Sequence, residues 1–374
     1  MESGERYKYK AETDGGMYSF NFSLEPAGSI CFVLNGEYEN LPEYKSFKNI
    51  KTEELKGDFD YIKNEPNVCV LDYVKWSFGG GNETEAEEVL KADNHIRDKV
   101  GIERRGGEML QPWFSKLNDT QKYGKLHLSY EFYAEKIPEG EIFLAGERPE
   151  FNEYKINGIK LHSKDLNDFW VDECFKKMYI PKDALKLGLN EVNIDVDFMR
   201  TTNVEAIYLA GDFGVRLEGT NTKIITSYPK KIGCEDYIRY NLPFYTGEVT
   251  YVITYDMYKD LLGCEFKNAD RIVLTPKDFT GGCAKVEAMG ETSILGWEPY
   301  EADVTEAVRN KAEIKLTVVG TRRNVFGPLH QIPEIAGAYG PGNFVTEGDE
   351  WTDAYSLISS GLRGIIFKAQ KKEE

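Results

Sequence analysis

Leu126-His127-Leu128-Ser129-Tyr130-Glu131-Phe132 alternates apolar and polar side chains without a break. Successive side chains of an extended chain point to opposite faces, so this run is a strand with one dry face and one wet face. The alternation recurs upstream in Tyr18, Phe20, Phe22 and Leu24. It returns downstream in Val192, Ile194, Val196 and Phe198, in Val249, Tyr251, Ile253 and Tyr255, and in Ile314, Leu316 and Val318. Half-wet strands build antiparallel sheets that pack face to face in pairs. The sequence therefore predicts an all-β fold of antiparallel sandwiches.

Local signals punctuate the strands. Asn157-Gly158 lies between Tyr154-Lys155-Ile156 and Ile159-Lys160-Leu161, and that dipeptide suits a tight hairpin in which both turn residues take positive φ. One inserted helix is expected from about Glu85 to Val100. Thr84 and Glu87 have capping-box spacing, Ala86, Val89, Leu90, Ile96 and Val100 mark one face, and Gly101 closes it. Gly79-Gly80-Gly81 precedes this helix, but Glu83, Glu85, Glu87 and Glu88 follow where a phosphate loop needs Lys and Ser or Thr, so a turn is expected there.

A net charge of -17 repels polyanions, and no basic run exceeds two residues, which excludes nucleic acid as a partner and suits a neutral ligand. No apolar stretch approaches the roughly 20 residues that span a bilayer, so no membrane partner is expected. Met1 to Lys10 is charged and lacks the apolar core of a secretory signal. The expectation is a cytoplasmic protein, or a chain whose true N-terminus is missing. The six cysteines are scattered, with no C-x-x-C pair, and are read as buried free thiols.

At 374 residues the chain exceeds what one hydrophobic core usually serves. Three segments are expected. Residues 1–66 carry a strand pair, Tyr18–Leu24 and Ile30–Leu34, which cannot bury a core alone and is expected to complete a preceding domain. Residues 67–231 and 232–374 form two β-domains in tandem, related by a weak repeat. In the first, Tyr154-Lys155-Ile156, Trp170, Ile180 to Leu185 and Val192 to Phe198 follow one another. In the second, Ala284-Lys285-Val286, Trp297, Ala302 to Val308 and Ile314 to Val319 keep the same order.

Leu185-x-x-Gly188-x-Asn190-x-Val192-x-Ile194-x-Val196, downstream of the Asn157-Gly158 hairpin, resembles the signature of the galactose-binding-like jelly roll that serves as sugar-binding domain in family 2 glycoside hydrolases. The second copy departs from it, with Asn310-Lys311-Ala312-Glu313 in place of Gly-x-Asn. Val70-Leu71-Asp72-Tyr73, Tyr208 to Val215, Leu242 to Gly247, Gly320 to His330 and Tyr355 to Ile358 are similar to the C-terminal half of large bacterial glycosidases related to family 106 α-L-rhamnosidases. The resemblance implies tandem jelly rolls, carbohydrate as partner, no cofactor, and a catalytic (β/α)8 barrel supplied in cis or in trans. No alternating βα pattern here builds such a barrel. A structural Ca²⁺ is common in jelly rolls of this kind, although no loop shows ligand spacing for one. Two rival readings stand beside it, a free-standing carbohydrate-binding protein and a β-sandwich glycosidase or lyase with an unrecognised carboxylate pair.

Sugars are held by aromatic faces with polar neighbours for their hydroxyls, which makes Trp113, Trp170, Trp297 and Trp351 candidates, each in a polar loop. Asn324 and His330 bound the stretch Asn324 to His330 and join the carbohydrate-binding candidates. Asp172-Glu173 beside Trp170, and Glu147 with Glu150, are the nearest approaches to a hydrolytic carboxylate pair. They are read as solvated loop acids, and no catalytic residue is assigned.

Overall fold

The computed structural model describes residues 6–24, 26, 28–33, 40–105, 121–333 and 340–373. Strand makes up 42% and helix 12%, and the strands form two antiparallel-rich sandwiches, as the alternation predicts.

In the first sandwich one sheet runs in the order Ile159–Leu161, Glu153–Ile156, Gly188–Met199, Lys122–Ala134, with Tyr73–Phe78 and Thr222–Thr226 both pairing along the far side of Lys122–Ala134. The facing sheet runs Phe169–Trp170, Asp172–Tyr179, Ile142–Glu147, Ile207–Gly211, Asn67–Leu71. Leu126, Leu128, Tyr130 and Phe132 of the opening run all point into the core between them, against Leu144 and Leu209. Each buried aliphatic side chain contributes roughly 1.5–3 kcal/mol by leaving water.

The second sandwich repeats the central strand order of the first. One sheet contains Phe59–Lys63, Glu248–Ile253, Ile314–Val319, Cys283–Ala288 and Glu291–Leu295 in that order. The other runs Ala302–Asp303, Arg271–Pro276, Ile365–Lys372, Phe47–Leu55. Phe47–Leu55 and Phe59–Lys63 hold the places that Asn67–Leu71 and Tyr73–Phe78 hold in the first. The chain thus lays down two strands of the second sandwich, completes the first between Asn67 and Thr226, and then returns. The first sandwich is nested within the second, where tandem domains split at 66 and 231 were expected. Residues 47–63, grouped at the sequence level with an N-terminal segment, find their strand partners more than 170 residues downstream.

Other expectations need correction. Among the described residues the expected pairing of Tyr18–Leu24 with Ile30–Leu34 does not form. Glu12–Asp14 pairs instead with Met17–Ser19 around Gly15-Gly16, both at positive φ, and Phe20, Phe22, Phe32 and Tyr9 cluster by their rings; Leu34 lies outside the described residues. The helix is Val89–Val100, four residues shorter at its start than expected. Glu87 and Glu88 are drawn into a strand pair with Tyr73 and Val74, so Glu88 becomes the N-cap, its carboxylate accepting from Leu90 N at 3.0 Å and Lys91 N at 3.1 Å. Gly101 closes the helix in the left-handed conformation. All six thiols are free, but only Cys69 is buried.

The Leu-x-x-Gly-x-Asn stretch explains its own residues. Gly188 takes φ 84 at the start of Gly188–Met199. Asn190, fully buried, donates to Lys186 O (2.7 Å) and Gly188 O (3.0 Å) and accepts from Lys186 N (2.9 Å). It also accepts from the Asn157 amide at 2.8 Å, and Asn157 itself accepts from Glu191 N at 3.1 Å. The two amides staple the hairpin to the strand entry. In the second sandwich Met289-Gly290 makes the equivalent hairpin turn, and Lys311 takes φ 56 without a glycine.

Candidate functional site

Two places gather functional side chains. The first is a cavity of about 160 Å³ at one end of the first sandwich, between the loop after Ile142–Glu147 and the loop that links Gly188–Met199 to Ile207–Gly211. Its floor is the core face of the sheet, including Tyr130. Its walls carry Glu147, Asn203 and Glu205, and its rim carries Arg148 and Phe151.

The loops are held open by buried polar contacts. Arg97, almost fully buried, bonds Asp93 at 2.7 Å and the Thr202 carbonyl at 2.8 Å. Arg105 bridges Asp93 at 3.1 Å and Glu205 at 3.0 Å. Tyr130 donates to Glu205 O (3.0 Å) and Tyr154 to Glu147 O (2.7 Å). Arg148 accepts from Phe151 N and Asn152 N through its carbonyl and sits at φ 51. That left-handed conformation is costly for a residue with a Cβ, and such strain concentrates at binding sites.

Glu147 faces this cavity with few partners. Its Oε2 receives a long bond from Asn203 Nδ2 (3.5 Å), while its Oε1 and Asn203 Oδ1 are buried without a hydrogen-bond partner. Burial, with Glu205 nearby, pushes the Glu147 carboxyl up to about 7. Phe151 at the rim is 70% exposed, an apolar ring facing water beside a polar cavity.

The second place is a buried cluster where residues 320–333 and 340–360, between Ile314–Val319 and Gly361–Leu362, strap across the first sandwich. Phe326 enters an aromatic group with Trp170, Phe175 and Tyr208. Asp72, Lys223 and His330 are each nearly inaccessible. Asp72 takes Lys223 Nζ at 2.8 Å, His330 Nε2 at 3.1 Å and Tyr355 OH at 2.6 Å. Burial alone would raise the Asp72 pKa, but Lys223 and His330 outweigh it and hold it well below the usual carboxylate range. His330 Nδ1 reaches the Thr352 carbonyl at 3.1 Å. Trp351 stacks on His330 at 5.3 Å and carries Lys91 Nζ on its ring at 3.7 Å. Burial pushes Glu88, nearby, up to about 7.

The sequence candidates divide between these surroundings. His330 and half-buried Trp351 meet in the strap cluster. Asn324, buried, clamps Ile358 by donating to its carbonyl and accepting from its N–H, both at 2.9 Å. All three hold the strap down. Trp170 is 4% exposed, packed inside the aromatic group, and offers no open face to a sugar. Trp297 is 46% exposed on the second sandwich and joins neither place. Trp113 lies outside the described residues. Of the acids, Glu147 lines the cavity but its companion there is Glu205, and Glu150 does not line it. Among the described residues no group of three or more His, Cys, Asp or Glu side chains converges on a metal position, and no helix is long and apolar enough to cross a membrane.

Sequence reasoning missed Asn203, Glu205, Phe151, Asp72 and Lys223. Asp72 had a signal, since it interrupts the apolar run Val68 to Val74, and a charge there needs a buried partner. The cavity residues had none, because they come from loops that only the fold brings together.

No family model matches the sequence, and no curated protein matches it. Among solved structures, the chain is similar to a family 2 β-galacturonidase from Eisenbergiella tayi bound to glycerol, at 10% identity over 73% of this chain and 38% of that one, with a TM-score of 0.25. A β-D-mannosidase from Dictyoglomus thermophilum matches at 10% identity over 72% of this chain and 31% of that one, TM-score 0.24. An α-L-rhamnosidase from Aspergillus terreus matches at 8% identity over 88% and 49%, TM-score 0.15. The chain spans about a third of the length of the first two. Superpositions this loose carry no argument about its function.

Proposed function

We propose that this chain is a noncatalytic β-sandwich region of a glycoside hydrolase, bracing a catalytic barrel supplied in cis or in trans and holding carbohydrate in the Glu147 cavity. The resemblance of the Leu185 to Val196 stretch to the galactose-binding-like signature supports it. The observation that carries it is the cavity itself. Glu147 Oε1 and Asn203 Oδ1 are buried without partners, and their residues line the same cavity as the exposed ring of Phe151. Hydroxyl hydrogens complete such oxygens while a sugar's C–H face covers such a ring. The strap supports the bracing role, because it ties both sandwiches into one unit through Asp72.

The test is affinity electrophoresis of the purified chain in plant polysaccharides, beside turnover assays on aryl glycosides of rhamnose, galactose and glucose. Retardation without turnover, weakened by Phe151→Ala, is the expected result. A second reading has one observation in its favour. Glu147 and Glu205 share a cavity, and the raised Glu147 carboxyl is the kind a general acid needs. Turnover abolished by Glu147→Gln would establish that reading and end the noncatalytic one.

A further inference from the structure

We propose that the Glu147 cavity selects an amino sugar, taking its ammonium group between Glu147 Oε1 and Asn203 Oδ1 with the pyranose ring against Phe151. The inference rests on the carbohydrate reading above and names the sugar class. Size sets the first limit, since a cavity of roughly 150 Å³ holds one six-membered ring and this one is about 160 Å³. The cavity takes one sugar residue at a time, a free sugar or the end of a chain.

Charge sets the second limit. The carboxylates on the cavity are Glu147, Glu205 and Asp197, the cations that line it are Arg148 and Lys122, and Arg105 is bonded to Glu205 from outside the lining. Arg105 is engaged by Asp93 and Glu205. Lys122 pairs with Asp197 at 2.7 Å. Arg148 lies over the Phe151 ring at 5.5 Å, on the rim. Among the described residues Arg105 and Arg148 act on Glu147 only through space, and it is the one carboxylate of the three without an ion-pair partner. A uronic acid adds a like charge and is repelled.

Donor count sets the third. Both unpartnered atoms are acceptors. A hydroxyl brings one hydrogen to them, whereas an ammonium brings three together with the missing charge. Burial and Glu205 raise the Glu147 carboxyl to about 7, and a bound ammonium would relieve that cost. The preference is therefore strongest where Glu147 is ionised and the amine still protonated.

The experiment is isothermal titration of the full chain with glucosamine, glucose, N-acetylglucosamine and glucuronic acid at pH 7.0 and 5.5. Glucosamine is expected to bind roughly tenfold tighter than glucose or N-acetylglucosamine at pH 7.0 and to lose roughly tenfold at pH 5.5, as a group titrating near 7 passes from about half ionised to a few per cent. Glu147→Gln should remove the preference without lowering the thermal midpoint, and Asn203→Ala provides an independent second variant that should weaken it. Equal binding of glucosamine and glucose overturns the inference but leaves the carbohydrate reading standing, as does a preference that survives both substitutions. Absence of binding by all four sugars and by polysaccharide overturns both.

Discussion

Replacing Asp72 by Asn strands the Lys223 charge in the strap cluster. Lys223 is 2% exposed and His330 5%, and both direct their hydrogens at the Asp72 carboxylate, which also accepts from Tyr355. An Asn keeps the shape and one acceptor, but it removes the only anion bonded to Lys223 among the described ion pairs. Removing one partner of a buried pair costs about 3–5 kcal/mol, because the other charge stays buried without compensation. The retained amide places Asp72→Asn near the lower end, about 3 kcal/mol. Urea denaturation followed by tryptophan fluorescence measures this, since Trp351 stacks on His330 and Trp170 packs on the strap residue Phe326. Limited proteolysis should find new cleavage between residues 321 and 360. The deciding control is Asp72→Asn with Lys223→Met, which removes the stranded ammonium and should recover at least half of the loss. If the single change costs less than about 1 kcal/mol, or if the double change costs the sum of its parts, the strap is held by its apolar contacts and the charge argument is wrong.

Acid should act on the same cluster. The Asp72 pKa is depressed in the folded chain, so its stabilising contribution is present above its ordinary value of 3.8 and lost as pH falls further, which denaturation midpoints between pH 5 and 2.5 would show. Glu147 has the opposite sign: with its folded value raised from 4.5 to about 7, its contribution is full below 4.5 and gone above 7, so Glu147→Gln should flatten the decline in thermal midpoint between pH 4.5 and 7.5. Asn190→Ala leaves Lys186 N, Gly188 O and the Asn157 amide short of a partner, for a loss of about 2–4 kcal/mol by chemical denaturation. Lys311→Gly relieves a left-handed residue at φ 56 and should raise stability by about 0.5–1 kcal/mol, seen as a small upward thermal shift.

What was legible in the sequence follows from how local its physics is. Alternation is a property of single strands, so the inward face of Leu126 to Phe132 could be read before any partner was known. The Asn157-Gly158 turn and the Gly101 helix stop are local in the same sense. The helix start was misplaced because Glu87 and Glu88 have a competing role that depends on Tyr73 and Val74, and no capping rule sees a strand partner. Phe47–Leu55 was unreadable for a related reason. It is an edge strand, mostly exposed along Lys48 to Thr52, so it carries almost no alternation to reveal it.

Nesting and site share one cause. The repeat was visible as an order of motifs, and its first two members were not, because Phe47–Leu55 and Phe59–Lys63 lie ahead of the other sandwich. Once the first sandwich is placed inside the second, the chain must leave and re-enter the outer one at neighbouring points, Lys63 and Lys231, both on adjoining strands of one sheet. Two linkers crossing at one place hold the inner sandwich close to the outer, and the strap from residues 321 to 360 then has a fixed surface to cover. Asp72 and Lys223 lie near the two ends of the insertion, one beside its first strand and one on its last. The buried charge that meets His330 is therefore built from the two ends of the inserted sandwich. That gives the Asp72 substitution its force, since it tests a contact made only when the insertion is closed and the outer chain has folded over it.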